Sequence, residues 1–128
     1  LVARRRAYPL AAYMAYGLAK LGVRAVLLDS ANGIDSELVD LARPGDAAIA
    51  VSFSPYAPES LTQARALVAV GIPIVAITDS VMSPLAACAT HWLEVSEHDF
   101  AGFRSLAAGM TLAMALPVAI AERRRHQG

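Results

Sequence analysis

Hydroxyl side chains and prolines are concentrated where a short apolar run gives way to a helix-like segment. Residues 47–51 predict a buried strand, Ser52 and Ser54 follow it directly, and Pro58 opens a helix pattern. The first backbone N–H groups of a helix lack internal partners and attract anions, and nearby hydroxyls add further hydrogen-bond donors. The segment therefore predicts an anion pocket suited to a phosphate. Helix capping by serine is the structural alternative, which the two serines alone do not exclude.

Groups able to transfer a proton are few near this segment. Glu59 is the one carboxylate beside the hydroxyl turn that could act as a base, and a carboxylate in the first turn of a helix also stabilises the helix dipole. Asp79 follows another apolar run, where we expect it to fix a turn. No paired carboxylates and no Ser-His-Asp set can be assembled, so no catalytic residue is predicted.

Motifs for metals and nucleotides are absent from the sequence. His91, His98 and His126 have no ligand-like spacing with Cys88 or with carboxylates. Gly-x-Gly-x-x-Gly and Walker sequences do not occur. We therefore expect no metal site and no cofactor. The lone cysteine excludes an intramolecular disulfide and indicates a reducing compartment, here the cytoplasm.

Short apolar runs and helix patterns alternate along the chain, and they must position the hydroxyl turn. The predicted strands are residues 1–3, 24–28, 47–51, 73–78 and 91–95, and the predicted helices are 8–21, 35–42, 58–70, 83–89 and 100–123. This alternation predicts an α/β fold, a three-layer α-β-α sandwich with about five parallel strands. Ligands of such sheets bind at the carboxyl ends of the strands. The polar groups expected there are Arg4, Arg5, Arg6, Asp29, Ser30, Ser52, Ser54, Tyr56, Thr78, Asp79, Ser80 and Ser83.

Composition limits the classes of protein to which the chain can belong. Its 128 residues are 56% hydrophobic and 17% charged, which indicates one domain with a substantial core. The formal net charge is zero, so the sequence carries no electrostatic footprint for nucleic acid. The most apolar segment, residues 106–121, is too short to span a membrane. Because the chain opens with Leu1, we expect a piece of a longer polypeptide.

Residues 52–60, Ser-Phe-Ser-Pro-Tyr-Ala-Pro-Glu-Ser, are the first of four segments that together resemble the SIS (sugar isomerase) domain as it occurs in RpiR-type (MurR/RpiR) transcriptional regulators. They are similar to the family's phosphosugar loop, Ser-x-Ser-Gly-x-Thr-x-Glu. Residues 77–86, with Thr-Asp-Ser and Ser-Pro-Leu-Ala, resemble its fourth-strand segment. Residues 5–11 resemble its first strand-end loop, and residues 103–108 its last helix. The resemblance implies a five-stranded, flavodoxin-like sandwich that usually forms dimers.

The resemblance also implies which residues hold a sugar phosphate. Ser52 and Ser54 keep the family's hydroxyls, whereas Ala7, Pro55 and Ala57 stand where the family has serine, glycine and threonine. Each lost hydroxyl removes a hydrogen bond to the phosphate, so the ligand would be held differently, through Arg5 or Arg6, or the pocket has lost it. The predicted ligand-binding residues are Arg6, Ala7, Ser52, Ser54, Tyr56, Ala57, Glu59 and Ser80.

Three functions follow from these observations. The leading hypothesis is an effector-sensing SIS domain over residues 1–128 that binds a sugar phosphate or related anion and acts through a homodimer. The resemblance implies that DNA is contacted only by a helix-turn-helix domain upstream of Leu1, and no membrane partner is expected. The alternatives are a phosphosugar isomerase or epimerase with Glu59 as its base, and a dimerisation module without a ligand. The sequence does not identify the effector.

Overall fold

A parallel sheet forms the centre of the computed structural model, which describes residues 1–29 and 33–127. The strands are β1 (Val2–Ala3), β2 (Ala48–Ser52), β3 (Ile74–Thr78), β4 (His91–Glu94), β5 (Asp99–Phe100) and β6 (Phe103–Arg104). β1 to β4 pair in that order, all parallel, with Ala50 opposite both Val2 and Ala76. β5 and β6 form a separate antiparallel hairpin. The carboxyl ends of β1, β2 and β3 therefore lie at one edge.

Helices cover both faces of the sheet. They are α1 (Tyr8–Lys20), α2 (Asp35–Asp40), α3 (Pro58–Ala69), α4 (Pro84–Cys88) and α5 (Ala107–Gln127), and a 3-10 turn (Arg5–Ala7) precedes α1. α1 and α5 pack together on one face, while α2, α3 and α4 form the layer on the other. The three-layer α-β-α sandwich predicted from the sequence is confirmed.

Alternation along the strands divides the hydrophobic core into two. Ala50 and Ile74 belong to the cluster under α2, α3 and α4, whereas Val51 and Ile77 belong to the cluster under α1 and α5. Side chains of adjacent strand residues point to opposite faces, so a strand covered on both faces must be apolar throughout. The β-branched residues of β2 and β3 satisfy this requirement, and they fix the edge where polar groups can begin.

Two predicted elements differ from the observed ones. Residues 24–28 were predicted as a full strand, but they join the sheet only through a parallel bridge between Val2 and Leu28. β1, the strand next to which residues 24–28 lie, has only two residues, so a longer strand cannot pair with it along its length. The helix predicted over residues 100–123 begins at Ala107, because Ala101 and Gly102 adopt positive φ angles and reverse the chain into the β5–β6 hairpin. Ser30 lies outside the described residues.

The described residues include no helix that is both long enough and apolar enough to cross a membrane. α5 has 21 residues, but Arg124, Arg125 and His126 occupy its last turn and Pro117 lies inside it.

Two glycines are expected to respond to alanine with opposite signs. Gly71, just after α3, has a φ of +83°, where a Cβ costs about 1 kcal/mol. Gly17, inside α1, has room for a Cβ at 3.5 Å from Pro117, and alanine there should add about 0.5–1 kcal/mol. Urea denaturation of Gly71→Ala and Gly17→Ala measures both changes. Shifts of the same sign would contradict the described backbone.

Candidate functional site

A cleft of about 190 Å³ opens at the carboxyl ends of β1 and β2. Its walls are the 3-10 turn before α1 and the loop between β2 and α3. The lining residues are Arg4, Arg5, Arg6, Ala7, Ser52, Phe53, Pro55 and Ala57. This lining contains three arginines and no acidic residue, so we call it the arginine cleft. Its charge and its position suit an anion.

Of the three arginines, Arg6 is the one oriented across the cleft. Its guanidinium lies 4.9 Å from the centroid of the Phe53 ring, and its Nη2 donates to the Ser54 carbonyl oxygen at 3.0 Å. Its Nη1 is buried and has no hydrogen-bond partner among the described residues. Burial and the neighbouring charge of Arg104 lower the pKa of Arg6 from its ordinary value. An anion placed against Nη1 would compensate both effects.

Arg4 and Arg5 make different contacts. Arg4 binds the protein itself: it donates to the Leu28 carbonyl oxygen at 2.6 Å and forms an ion pair with Asp35 at 2.6 Å. Arg5 is exposed and has a φ of +56°, a left-handed conformation that non-glycine residues seldom adopt. Arg4 therefore fixes the wall of the cleft, and Arg5 presents its side chain to solvent at the entrance.

Asp79, at the end of β3, organises the loop that forms the other wall. One carboxylate oxygen accepts from the Ser54 backbone N–H at 2.8 Å, and the other accepts from the Tyr56 hydroxyl at 2.7 Å. Burial, with a smaller contribution from this bond to Asp79, raises the pKa of Tyr56. The Ser54–Pro55 peptide bond is cis. The loop is thus tied to β3 by its backbone and by one side chain.

Arg104 completes this network from the β5–β6 hairpin. Its Nη1 donates to the Ser54 carbonyl oxygen at 2.9 Å, beside the bond from Arg6. It also lies 3.7 Å from a carboxylate oxygen of Asp79 and 3.8 Å from one of Asp99. Two guanidinium groups therefore converge on one carbonyl oxygen, and two carboxylates balance Arg104.

A second cleft, of about 300 Å³, adjoins the first. Its lining residues are Arg6, Phe53, Asp79, Val95, Ser96, Glu97, Asp99 and Arg104. Because three of these are carboxylates, we call it the acidic cleft. Arg6 and Phe53 line both clefts, so their stacked side chains stand between the two.

The eight residues predicted to bind a ligand do not all lie together. Arg6, Ala7, Ser52 and Ala57 line the arginine cleft. Ser54 and Tyr56 belong to the adjoining loop and contact Asp79. Glu59 is exposed in the first turn of α3, and Ser80 accepts a hydrogen bond from the Met82 backbone N–H in the turn after β3. Neither Glu59 nor Ser80 lines either cleft.

Sequence reasoning missed two residues of this region and underestimated a third. Arg104 was assigned to a helix, and Glu97 was not considered. Asp79 was expected at the ligand edge, because it directly follows a buried strand, but only as a residue that fixes a turn. Arg104 and Glu97 depend on the hairpin, whose one signal is the Ala-Gly pair between Phe100 and Phe103.

Groups of three or more potential metal ligands do not occur among the described residues. The polar side chains around the clefts are guanidinium, carboxylate and hydroxyl groups. They can hold an anion and orient a polyhydroxylated molecule through charge-assisted hydrogen bonds.

Several solved structures share this architecture. The sugar isomerase domain of the RpiR transcription factor from Sphaerobacter thermophilus has a TM-score of 0.83 and 26% identity, with 93% of this chain and 66% of that one covered. The Vibrio vulnificus NanR protein has a TM-score of 0.73 and 21% identity, with 94% of this chain and 46% of that one covered. E. coli CFT073 c3406 has a TM-score of 0.78 and 21% identity, with 94% of this chain and 67% of that one covered. The chain thus spans about two thirds or less of the length of these relatives.

Comparison with curated proteins gave no significant match. The comparison with protein families gave a match to the SIS domain over residues 1–119, nearly the full length of the chain. Together with the parallel sheet and its ligand edge, this match confirms the resemblance seen in the sequence. The chain belongs to the SIS domain family.

Proposed function

We propose that this chain is the effector-binding SIS domain of an RpiR-type transcriptional regulator and that it binds a sugar phosphate or a related anionic carbohydrate in the arginine cleft. The observation that carries the proposal is the guanidinium of Arg6, which is held against Phe53 and Ser54 and whose buried Nη1 has no hydrogen-bond partner among the described residues. Arg6 lines the arginine cleft, whose other described lining residues are basic or uncharged. A buried donor of this kind is costly unless a ligand satisfies it.

The groups that would bind the phosphate here differ from the hydroxyl groups that the family uses. Ala7 and Ala57 line the arginine cleft at positions where the family has hydroxyls, and Pro55 contributes no backbone N–H. Ser52 retains its hydroxyl, and Arg6 adds a planar group that can bind phosphate through two parallel bonds. Hydrogen bonds from a charged donor are about twice as strong as neutral ones. Arginine thus replaces the lost hydroxyls.

The described ligands of two similar structures support the class of effector. NanR was solved in complex with ManNAc-6P, and c3406 in complex with a different sugar phosphate. Both proteins are 21% identical to this chain, so they support the fold and suggest the ligand class.

Regulation would follow from a dimer in the cytoplasm whose two arrangements differ in affinity for the effector. α1 and α5 carry exposed apolar side chains that a second copy could cover: Tyr13, Tyr16, Met114 and Val118. The effector can shift the equilibrium only by its differential affinity for the two arrangements. DNA would be contacted by a helix-turn-helix domain outside these residues.

An isomerase or epimerase activity has less support. The candidate base, Glu59, is exposed and lines neither cleft, so it cannot reach a sugar bound in the arginine cleft as the structure stands. One similar structure is described as a putative phosphosugar isomerase from Silicibacter pomeroyi, with a TM-score of 0.67 and 24% identity. Turnover of a sugar phosphate that disappears in Glu59→Gln would overturn the regulator assignment.

A binding screen tests the proposed function. Inorganic phosphate and a panel of hexose and pentose phosphates are titrated against the protein by calorimetry and thermal shift. We expect saturable binding of inorganic phosphate, and tighter binding of at least one sugar phosphate than of the unphosphorylated sugar. If neither inorganic phosphate nor any sugar phosphate binds, the chain is a dimerisation module without this ligand.

A further inference from the structure

The two clefts adjoin each other and share Arg6 and Phe53. Their remaining linings carry opposite net charge, because Arg104 only partly offsets the three carboxylates of the acidic cleft. Arg4 and Arg5 line the arginine cleft, and acidic side chains line the other. A ligand that fills both clefts meets positive charge at one end and carboxylates at the other.

Glu97 is an acidic residue of the second cleft whose capacity to accept hydrogen bonds is only partly used. Its Oε1 accepts from the Gly109 backbone N–H in the first turn of α5, which fixes the side chain. Its Oε2 is buried and has no hydrogen-bond partner among the described residues. A buried carboxylate oxygen without a partner costs free energy that a donor on a ligand would recover.

The other two carboxylates of the acidic cleft are already balanced. Asp79 accepts from the Ser54 backbone N–H and the Tyr56 hydroxyl, and it faces Arg104. Asp99 also faces Arg104 and accepts from the Gly102 backbone N–H at 2.9 Å. The charge of Glu97 acts on Arg6, but Glu97 is the carboxylate of this cleft that retains a buried oxygen without a hydrogen-bond partner among the described residues, and a donor on a ligand could use it.

Arg6 and Glu97 together define the ligand's polarity. Each side chain lines the acidic cleft and retains one buried polar atom without a hydrogen-bond partner in the described part of the chain, a donor on Arg6 and an acceptor on Glu97. A molecule with an acceptor group near Arg6 and a donor group near Glu97 satisfies both. A cationic donor satisfies Glu97 better than a hydroxyl does, because hydrogen bonds between charged groups are the stronger ones.

We propose that the effector is an amino sugar phosphate with a free amine, its phosphate in the arginine cleft and its ammonium group on Glu97 in the acidic cleft. This inference rests on the proposed function, since the phosphate site orients the ligand. It narrows the effector from sugar phosphates in general to zwitterionic ones. Glu97 is then the residue that distinguishes an amino sugar from the parent sugar.

Three matched pairs of probes test this specificity by calorimetry. They are the 6-phosphates of glucosamine and glucose, of mannosamine and mannose, and of galactosamine and galactose. In at least one pair we expect the amino sugar to bind about tenfold tighter than its partner. Glu97→Gln keeps an oxygen for the Gly109 N–H and should reduce this preference to less than about threefold. Glu94→Gln, which removes an exposed charge outside both clefts, should retain it.

Inorganic phosphate separates a failure of this inference from a failure of the proposed function. It needs only the arginine cleft, so it should still bind to Glu97→Gln, and at least as tightly as to the unmodified protein, because a negative charge that acts on Arg6 is removed. The inference is wrong if phosphate binds while no pair favours the amine, if none of the six sugars binds, or if the preference persists in Glu97→Gln. If neither phosphate nor any sugar phosphate binds, the proposed function fails as well.

Discussion

Replacing Arg6 with alanine is expected to weaken the binding of inorganic phosphate and of any bound sugar phosphate by roughly 10- to 100-fold. The change removes the buried Nη1 donor and the stacking on Phe53 that orients it. Charged hydrogen bonds contribute about 1.5–3 kcal/mol each, which sets this range. Calorimetric titration of the folded variant, checked by circular dichroism, measures the loss.

Two further arginine variants make the Arg6 result specific. Arg6→Lys keeps the positive charge but lacks the planar fork, so its affinity should lie between those of the unmodified protein and Arg6→Ala. Arg65→Ala removes an equal charge from the exposed surface of α3, and its affinity should be unchanged. Equal losses in Arg6→Ala and Arg65→Ala would mean that net charge, and not the arginine cleft, attracts the anion.

Removing the Asp79 carboxylate is expected to lower the free energy of unfolding by about 2–4 kcal/mol and to weaken phosphate binding. Asp79→Ala leaves the Ser54 N–H and the Tyr56 hydroxyl without their acceptor. It also leaves Arg6 and Arg104 facing each other at the Ser54 carbonyl oxygen with one less compensating charge. Urea denaturation gives the stability change, and titration with phosphate gives the change in binding.

Conservative changes at the end of β3 provide the matched controls for Asp79. Asp79→Asn retains a carbonyl oxygen for one of the two donors and should lose about half as much stability as Asp79→Ala. Ser80→Ala changes the neighbouring residue, whose hydroxyl accepts one exposed hydrogen bond, and should cost at most about 1 kcal/mol. An Asp79→Ala protein as stable as Ser80→Ala would show that Asp79 does not organise the loop.

Sequence patterns predicted the parts of the fold that depend on local apolar runs. The strands predicted over residues 47–51 and 73–78 agree with β2 and β3 to within one residue at each end. A short, uninterrupted apolar run is typical of a strand in a sheet that is covered on both faces. The hairpin at residues 99–104 was missed because its residues also fit a helix pattern. Its cause is a turn with positive φ at Ala101 and Gly102, which a helix period does not reveal.

The location of the arginine cleft was predictable from the sequence, but the charges around it were not. The serine turn after residue 51 identified the loop and Ser52, and the end of the first predicted strand identified Arg6. The roles of Arg104 and Glu97 depend on contacts with Ser54 and Gly109, which lie 50 and 12 positions away from them in the sequence. No spacing rule along a single strand or helix reports such contacts. Glu59 and Ser80 were chosen by motif position, and both lie outside the clefts.

The hydrogen bond between Arg104 and Ser54 has a consequence for protein synthesis. Every residue that lines the arginine cleft precedes residue 58, whereas Glu97 and Arg104 are translated much later. Because a nascent chain emerges from its N-terminus, the first cleft leaves the ribosome before the hairpin that holds its loop. A chain that ends before residue 97 would therefore lack Glu97 and the bond from Arg104, while Asp79 and Arg6 could still contact Ser54. The complete set of contacts around Ser54 is thus a property of the finished domain.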